Sequence, residues 1–97
     1  MSKRVIEFMI FSQIVTEHIN NYTVPQYGDA PDDQVAKWTP EQCMDSIKRY
    51  VNRFKTGRRG RLEGLRDMLK IAHFACLIFD KLDPTVEEVG LLMKGGV

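Results

Sequence analysis

The clearest candidate for chemistry is a run of basic residues and glycines in the middle of the chain. The stretch RFKTGRRGRLEG, residues 53–64, contains four arginines, one lysine and three glycines. Arginine binds phosphate oxygens through paired hydrogen bonds, and glycine lets the backbone come close to an anion. The stretch therefore predicts a phosphate-binding turn. The residues expected to make the contacts, in the turn and the flanking helices, are Arg49, Arg53, Lys55, Arg58, Arg59, Arg61 and Arg66.

A solvated corner between two helices is the alternative interpretation of this stretch. It does not match the G-x-x-x-x-G-K-[ST] pattern of a P-loop, and its arginines have possible ion-pair partners in Glu63 and Asp67. Aromatic side chains for base stacking are scarce nearby, since Tyr50 and Phe54 both fall on an apolar stripe. If the turn binds an anion, we therefore expect contact with phosphate rather than recognition of bases.

The charge distribution points to the same region. The whole chain carries a net charge of only +1, but residues 48–70 contain nine basic residues and two acids, a local charge of +7. Most acids lie in two other groups, at residues 29–33 and at residues 80–88. Such a molecule is expected to be an electrical dipole whose basic end attracts anionic partners.

Two pairs of carboxylates are candidates for a Mg²⁺ site. Glu41 with Asp45, and Glu63 with Asp67, each lie four residues apart on one helical face. On an antiparallel hairpin the pairs would be about 25 Å apart, so they could not share one metal within a single chain. Salt bridging is the favoured interpretation of each pair. We expect no cofactor, with Mg²⁺ the candidate ion only if the protein is an enzyme.

The two histidines are candidates for acid–base chemistry near neutral pH. His73 interrupts the most apolar part of its segment, and His18 lies at the edge of another apolar stripe. A hydrogen-bonded core histidine is the favoured interpretation, because no nucleophile is visibly paired with either one. If the protein is an enzyme, the candidate acid–base or metal-binding residues are His73, Asp45, Asp67 and Asp80, and His73 with Asp45 or Asp80 is the first combination to inspect.

Cysteines and clustered aspartates complete the candidates. Cys43 and Cys76 do not form a C-x-x-C pair, and both occupy positions of apolar stripes, so we predict two buried core residues. Asp29, Asp32 and Asp33 do not fit the spacing of an EF-hand calcium loop. Turn formation and helix capping are the better explanation for these aspartates.

The elements that must position these residues are helical. Apolar residues recur every three or four positions over residues 2–22, which predicts a first helix with a broad buried face. Residues 23–38 replace this periodicity with prolines, a glycine and aspartates, which predicts a long loop. Tyr22, Tyr27, Val35 and Trp38 are apolar enough to hold this loop against the core, so we predict an ordered loop.

The clearest helix boundary is WTPEQ. Thr39 is a capping residue, Pro40 suits the first helical position, and Gln42 completes a capping box. A helix is therefore predicted over 40–55, with a stop at the following Gly57.

A third helix is predicted over 61–82, just past Gly60. It carries two apolar stripes, so it must be central or be covered by a second copy of the chain. Asp83 and Pro84 then predict a cap and the start of a short helix over 84–94.

Residues 46–82 also resemble a known family. The pattern I-K-[KR]-Y-V-x-R-[YF], a short basic turn with glycine, and a helix of Asp-Leu-x-Lys-Ala character resemble the SaV-like family of small phage and prophage proteins. The resemblance implies a role in phage nucleotide metabolism or takeover of the host. A second similarity is to the all-α MazG-like nucleotide pyrophosphohydrolases, whose ExxE and ExxD metal motifs are absent here. The matching positions for the first family are Ile47, Lys48, Arg49, Tyr50, Val51, Arg53, Phe54, Asp67, Met68, Leu69 and Lys70.

Taken together, the sequence predicts one all-α domain over 1–97, with three main helices, a short C-terminal helix and a central antiparallel hairpin. No apolar run approaches the roughly 20 residues of a membrane span, and no secretion signal is recognisable, so we expect a cytoplasmic protein that forms a homodimer. The favoured function is binding of a phosphate-bearing partner, nucleic acid or nucleotide, at the basic turn. A MazG-like nucleotide hydrolase and a protein-assembly module without an anionic ligand are the alternatives.

Overall fold

The structure is a computed structural model, and it describes residues 2–29 and 34–95. Helices and turns account for this part of the chain, in which there is no β-strand. The all-α prediction is therefore confirmed. In chain order the elements are α1 (Lys3–His18), a π-helical turn (Ile19–Thr23), α2 (Val24–Tyr27), a 3₁₀ turn (Val35–Lys37), α3 (Pro40–Thr56), α4 (Arg61–Lys81) and α5 (Val86–Met93).

The start of α3 has the predicted capping box. The hydroxyl of Thr39 accepts a hydrogen bond from the backbone N–H of Gln42 at 3.2 Å, and the Gln42 side chain accepts one from the Thr39 N–H at 2.8 Å. Both bonds satisfy donors that have no partner inside the helix. Pro40 occupies the first turn, where its missing N–H costs nothing.

The end of α3 and the start of α4 are set by two glycines. Gly57 ends α3 with φ of +63°, and Gly60 precedes α4 with φ of +88°. Side chains with a Cβ rarely adopt these angles, so glycine makes the tight connection possible. The predicted stop and restart are therefore confirmed.

α3 and α4 pack side by side in opposite directions. Arg53 near the end of α3 forms an ion pair with Asp67 early in α4, while Tyr50 lies farther from the turn beside Phe74, with ring centroids 5.9 Å apart. Close to the turn, the ring of Phe54 lies 3.2 Å from where a Cβ at Gly64 would be. The absence of that Cβ lets the two helices approach each other here.

α4 is the central element, because α3 and α1 both pack on it. The core is nevertheless thin. In the described part of the chain only Cys43, Ser46 and Asp67 are almost completely buried. The prediction that both cysteines are buried is right for Cys43 and wrong for Cys76, which lies on a side of α4 that remains exposed.

The segment predicted as a long loop is shorter and partly helical. α1 continues through the π-helical turn into α2, so helical structure extends to Tyr27 rather than ending at residue 22. Beyond the loop, Trp38 stacks on Phe74 with centroids 6.3 Å apart. The Lys81 ammonium donates to the carbonyl of Val35 at 2.9 Å, which ties the 3₁₀ turn to the end of α4. Asp32 and Asp33, predicted to serve in turns and caps, lie outside the described residues.

The last helix begins two residues later than predicted. Thr85, and not Asp83, caps α5, and it forms a capping box with Glu88. The sequence T-V-E-E satisfies two backbone donors at once, which a start at Pro84 would not do.

Among the helices of the described residues, none combines the length and the hydropathy that spanning a bilayer requires.

Candidate functional site

The nine cations of residues 48–70 divide into an inner and an outer group. The inner cations, Arg53, Arg66 and Lys70, are half-buried. The outer cations are all exposed, and we call them the basic surface. Its members are Lys48, Arg49, Lys55, Arg58, Arg59 and Arg61.

The central inner contact is the ion pair of Arg53 with Asp67. The guanidinium of Arg53 donates to a carboxylate oxygen of Asp67, which is 2% exposed. This hydrogen bond and the nearby charge raise the pKa of Arg53 above its usual value. Arg53 was predicted to contact phosphate, but its guanidinium is engaged in joining α3 to α4. Its Nε is buried without a hydrogen-bond partner among the described residues.

Glu63 holds two further arginines at the start of α4. Arg66 donates to one of its carboxylate oxygens, and Arg59 lies 3.5 Å from the other. The hydrogen bond from Arg66, followed by the charges of Arg66 and Arg59, lowers the pKa of Glu63. Glu63 therefore stays ionised and fixes the direction of both guanidinium groups. The two acids of the segment are thus each committed to neighbouring arginines.

Tyr50 is the aromatic centre of the inner group. Its ring centroid lies 4.9 Å from the guanidinium carbon of Arg53 and 5.6 Å from that of Arg49. The ammonium of Lys70 lies 5.6 Å from the rings of both Tyr50 and Tyr22. These cation–π contacts connect α3 and α4 to the π-helical turn after α1. They hold the ammonium group of Lys70 in place, although no carboxylate of the described residues forms an ion pair with it.

A cleft of about 330 Å³ opens at the turn between α3 and α4. Gly57 and Gly60 line it, and a Cβ at either position would meet no atom within 4 Å. Gly60 provides no side-chain cap, so backbone N–H groups of the first turn of α4 are without a capping acceptor. Such a helix start attracts anions, and Arg59 and Arg61 lie in the wall of the same cleft.

A second, broader cleft of about 470 Å³ lies along the outer face of α3. Its walls include Lys48, Arg49 and Arg58 together with the carboxylate of Asp45 and the polar side chains of Asn52 and Thr56. Arg53 borders both clefts, so they meet at the Arg53–Asp67 pair. The two clefts together carry an excess of positive charge from the middle of α3 to the turn, with Asp45 and Asp67 as their acidic lining residues.

Five of the six members of the basic surface have no acidic partner in the described residues. No ion pair within 4 Å joins a carboxylate of residues 2–29 and 34–95 to Lys48, Arg49, Lys55, Arg58 or Arg61. Arg49 makes one long hydrogen bond to the Ser46 hydroxyl, at 3.4 Å. The described acids therefore neutralise only part of the predicted phosphate-binding set.

The candidate acid–base residues are not assembled into a single site. The structure gives His73 no hydrogen bond to Asp45 or Asp80 among the described residues, and His18 is instead the histidine near it. Burial, and then the neighbouring His18, lowers the pKa of His73. Asp80 lies beside Cys76, with 4.0 Å between sulfur and oxygen. Within the described residues, no group of three or more His, Cys, Asp or Glu side chains is arranged to hold a metal ion.

His18 lies in the positive field of the inner cations. Burial, followed by the charges of Lys70 and Arg66, lowers its pKa. Its ring stacks on Tyr22 with centroids 5.0 Å apart, and its Nε2 is buried without a partner among the described residues. A neutral imidazole is therefore the form that the fold accommodates at this position.

Sequence reasoning missed two contributors to the site. Lys48 was counted in the local charge but not among the contact residues, although its position seven residues before Lys55 places both on one face of a helix. Phe54 was predicted to lie on a buried stripe, whereas its side chain is 52% exposed at the turn cleft. No sequence signal distinguished Phe54, because its exposure follows from where α4 starts and not from α3 itself.

Comparison of this chain with protein-family models, with curated proteins and with solved structures finds no match.

Proposed function

We propose that this protein binds nucleic acid, through contacts of the basic surface with backbone phosphates. The single observation that carries the proposal is the set of exposed cations without described acidic partners along α3 and the turn. Clustered arginines and lysines on one face are the electrostatic footprint of nucleic-acid-binding proteins. The resemblance to small phage proteins, and the nucleotide-related setting that it implies, is compatible with such a partner.

The shape of the basic surface favours a polymer over a single small anion. Lys48 and Lys55 are seven residues apart on one helix, which corresponds to about 10 Å along its axis. The charge continues past Lys55 into the turn cleft with Arg59 and Arg61. A single strand carries one phosphate for roughly each 3.4 Å of helix axis. One strand can therefore engage several of these cations at once, which a mononucleotide cannot do.

The turn cleft supplies the strongest individual phosphate position. An anion there would meet the open N–H groups at the start of α4 and the side chains of Arg59 and Arg61. The exposed ring of Phe54 offers an adjacent surface on which a base can stack irrespective of its identity. We therefore expect binding that depends weakly on base sequence and strongly on phosphate.

In this proposal the inner cations have a structural task. Arg53 and Arg66 hold Asp67 and Glu63, and Lys70 lies between two tyrosine rings. Contacts with the ligand are assigned to the outer cations alone. Removal of an inner cation is accordingly expected to lower stability, and removal of an outer cation is expected to lower affinity without affecting the fold.

The test is a salt titration with short oligonucleotides. We expect the fluorescence anisotropy of a labelled single strand to report binding at about 50 mM salt and a steep loss by about 200 mM. The double variant Arg58→Gln, Arg61→Gln should reduce the slope of log K against log salt by about 1 to 2. Its thermal midpoint should equal that of the wild type, because neither side chain has an acidic partner among the described residues.

Lys37→Gln is the matched control, because it removes an exposed positive charge from the 3₁₀ turn, outside the basic surface. Its slope should stay within error of the wild-type slope. Absence of binding at low salt, or equal slopes for wild type and the double variant, would contradict the proposal. Saturable binding of a free nucleotide with Mg²⁺ and none of the oligonucleotide would favour the nucleotide-hydrolase alternative instead.

A further inference from the structure

The N-terminal half of α1 projects its apolar side chains into solvent. Every described residue up to Ile10 is exposed, and Phe8 and Ile10 are 67% and 59% exposed. Only from Phe11 onward do residues of α1 become half-buried. Isolated helices of this length are marginally stable in water, so such a segment needs a surface to cover it. We call residues 3–14 the N-terminal arm; its exposed large apolar residues are Val5, Ile6, Phe8, Met9, Ile10 and Ile14.

A second exposed apolar surface lies at the other end of the chain. Val86 is 90% exposed and Leu91 is 62% exposed, although both belong to a regular, capped helix. We call residues 79–93 the C-terminal segment. Its exposed large apolar residues are Phe79, Leu82, Val86, Leu91, Leu92 and Met93.

The total surface area shows how much is left uncovered. The chain has an accessible surface of 7831 Å², whereas a compact monomer of 11.2 kDa is expected to have about 5,700 Å². The excess is roughly 2,100 Å² per chain, well above the roughly 800 Å² that each partner buries in a standard interface. The radius of gyration, 15.1 Å, likewise exceeds the roughly 12.5 Å of a compact domain of this length. One chain therefore carries enough exposed surface for a specific dimer interface.

The two surfaces are complementary in charge. The arm carries Lys3 and Arg4 at its start, and only Lys3 has an acidic partner, Glu7 on the same exposed turn. The C-terminal segment carries four acids, and among the described residues none of them forms an ion pair with a basic side chain. These acids are Asp80, Asp83, Glu87 and Glu88. The basic end of one surface thus fits the acidic loop and helix start of the other.

We propose that a second copy of this chain covers the N-terminal arm with its C-terminal segment. In a two-fold symmetric dimer this contact occurs twice, since each copy offers one arm and one segment. All the apolar residues of both surfaces are then buried by identical partners. A second copy is the occupant that this reasoning favours, because the complementary surface is present on every chain. The interface leaves the basic surface on α3 and the turn outside the contact.

The experiment is sedimentation equilibrium of the full chain at about 1 M salt, where exposed charges are screened and apolar association persists. The expected mass is twice 11.2 kDa. Phe8→Lys in the arm and Leu91→Lys in the C-terminal segment should each raise the dissociation constant by about 30-fold or more, as loss of a central apolar contact does. Gln26→Lys adds the same charge at an exposed polar position of α2, outside both surfaces, and should leave the dimer intact.

Hydrogen exchange provides a second measurement in case a variant does not fold. In wild-type protein, amides of residues 5–14 should become more protected as the protein concentration rises, because only the dimer covers them. A monomeric wild-type mass, a dimer that Leu91→Lys leaves unchanged, or arm protection that is independent of concentration would overturn the proposal. High salt abolishes phosphate binding, so these results are independent of the proposed function.

Discussion

At the scale of single residues, one buried ion pair has unequal partners. Asp67 is 2% exposed, while the side chain of Arg53 retains 28% of its accessible surface. A charged group that has lost its ion-pair partner destabilises the folded state more strongly the more deeply it is buried. Arg53 can recover hydration when its partner is removed, but Asp67 cannot. The pair therefore contributes to stability mainly by neutralising the aspartate.

We predict from this asymmetry that Arg53→Met is more destabilising than Asp67→Asn. The first variant leaves a buried carboxylate without its partner and should lower the free energy of unfolding by about 3 kcal/mol. The second leaves a half-exposed guanidinium and should cost about 1 to 2 kcal/mol. Urea unfolding followed by the fluorescence of Trp38, which stacks on Phe74 of α4, measures both values. Equal losses, or a larger loss for Asp67→Asn, would show that Asp67 is not effectively buried.

The two histidines predict a dependence of stability on pH. Both have a pKa lowered from 6.5 in the folded state, so the unfolded chain binds more protons between that lower value and about 6.5. The stabilisation linked to the neutral histidines should be complete above about pH 6.5. The free energy of unfolding should fall as the pH drops below this value through the window. Measuring the free energy of unfolding between about pH 5.5 and 7.5 tests this expectation.

His73→Phe is the variant that isolates one of the two groups. It removes one titrating ring and keeps an aromatic side chain beside Phe74, so it should lose part of the acid sensitivity and keep the share that belongs to His18. Titrating groups other than the neighbouring His18 are the same in both proteins, so the comparison reports His73 together with its charge interaction with His18. If wild type and variant lose the same free energy on acidification, burial of His73 does not govern its protonation.

At the scale of elements, the boundaries of α3 depend on local hydrogen bonds. Thr39 and Gln42 exchange two bonds at its start, and Gly57 adopts a left-handed conformation at its end. α3 provides one side of the thin core and half of the basic surface. Loss of a cap here should therefore affect the stability of the whole domain.

We predict that Thr39→Ala lowers the free energy of unfolding by about 1 kcal/mol, because the backbone N–H of Gln42 loses its acceptor. Thr39→Ser is the matched control, since a serine hydroxyl accepts the same hydrogen bond. Urea unfolding of the three proteins measures the difference. A serine variant as unstable as the alanine variant would show that the methyl group of Thr39, rather than its hydroxyl, is responsible.

At the scale of the whole molecule, charge and apolar surface are separated. Positive charge is concentrated on α3 and the turn, and 12 of the 18 exposed large apolar residues of the described part lie on the N-terminal arm and the C-terminal segment, although Phe54, Leu62 and Leu65 are exposed at the turn. This separation allows the proposed anion contact and the proposed self-association to occur on different faces. Salt should weaken the first through screening and counterion release, and it should strengthen the second because exposed apolar surface is less soluble in concentrated salt.

The sequence by itself determined the helical class, the capping box at Thr39, the stop at Gly57 and the concentration of charge around the turn. These features depend on interactions between residues at most four positions apart, or on composition, and both are visible in a linear chain. The late start of α5 was visible in the same way, as the capping box of Thr85 and Glu88.

Only the tertiary structure decided which cations are engaged and which apolar residues are covered. Asp67 pairs with Arg53 across 14 positions, and Lys81 reaches the carbonyl of Val35 across 46. Likewise, Cys76 of α4 and Phe54 of α3 are exposed, although both lie on apolar stripes that the sequence predicts to be buried. The physical reason is that periodicity defines the apolar face of a helix, whereas the register and placement of its neighbours determine which part of that face loses contact with water.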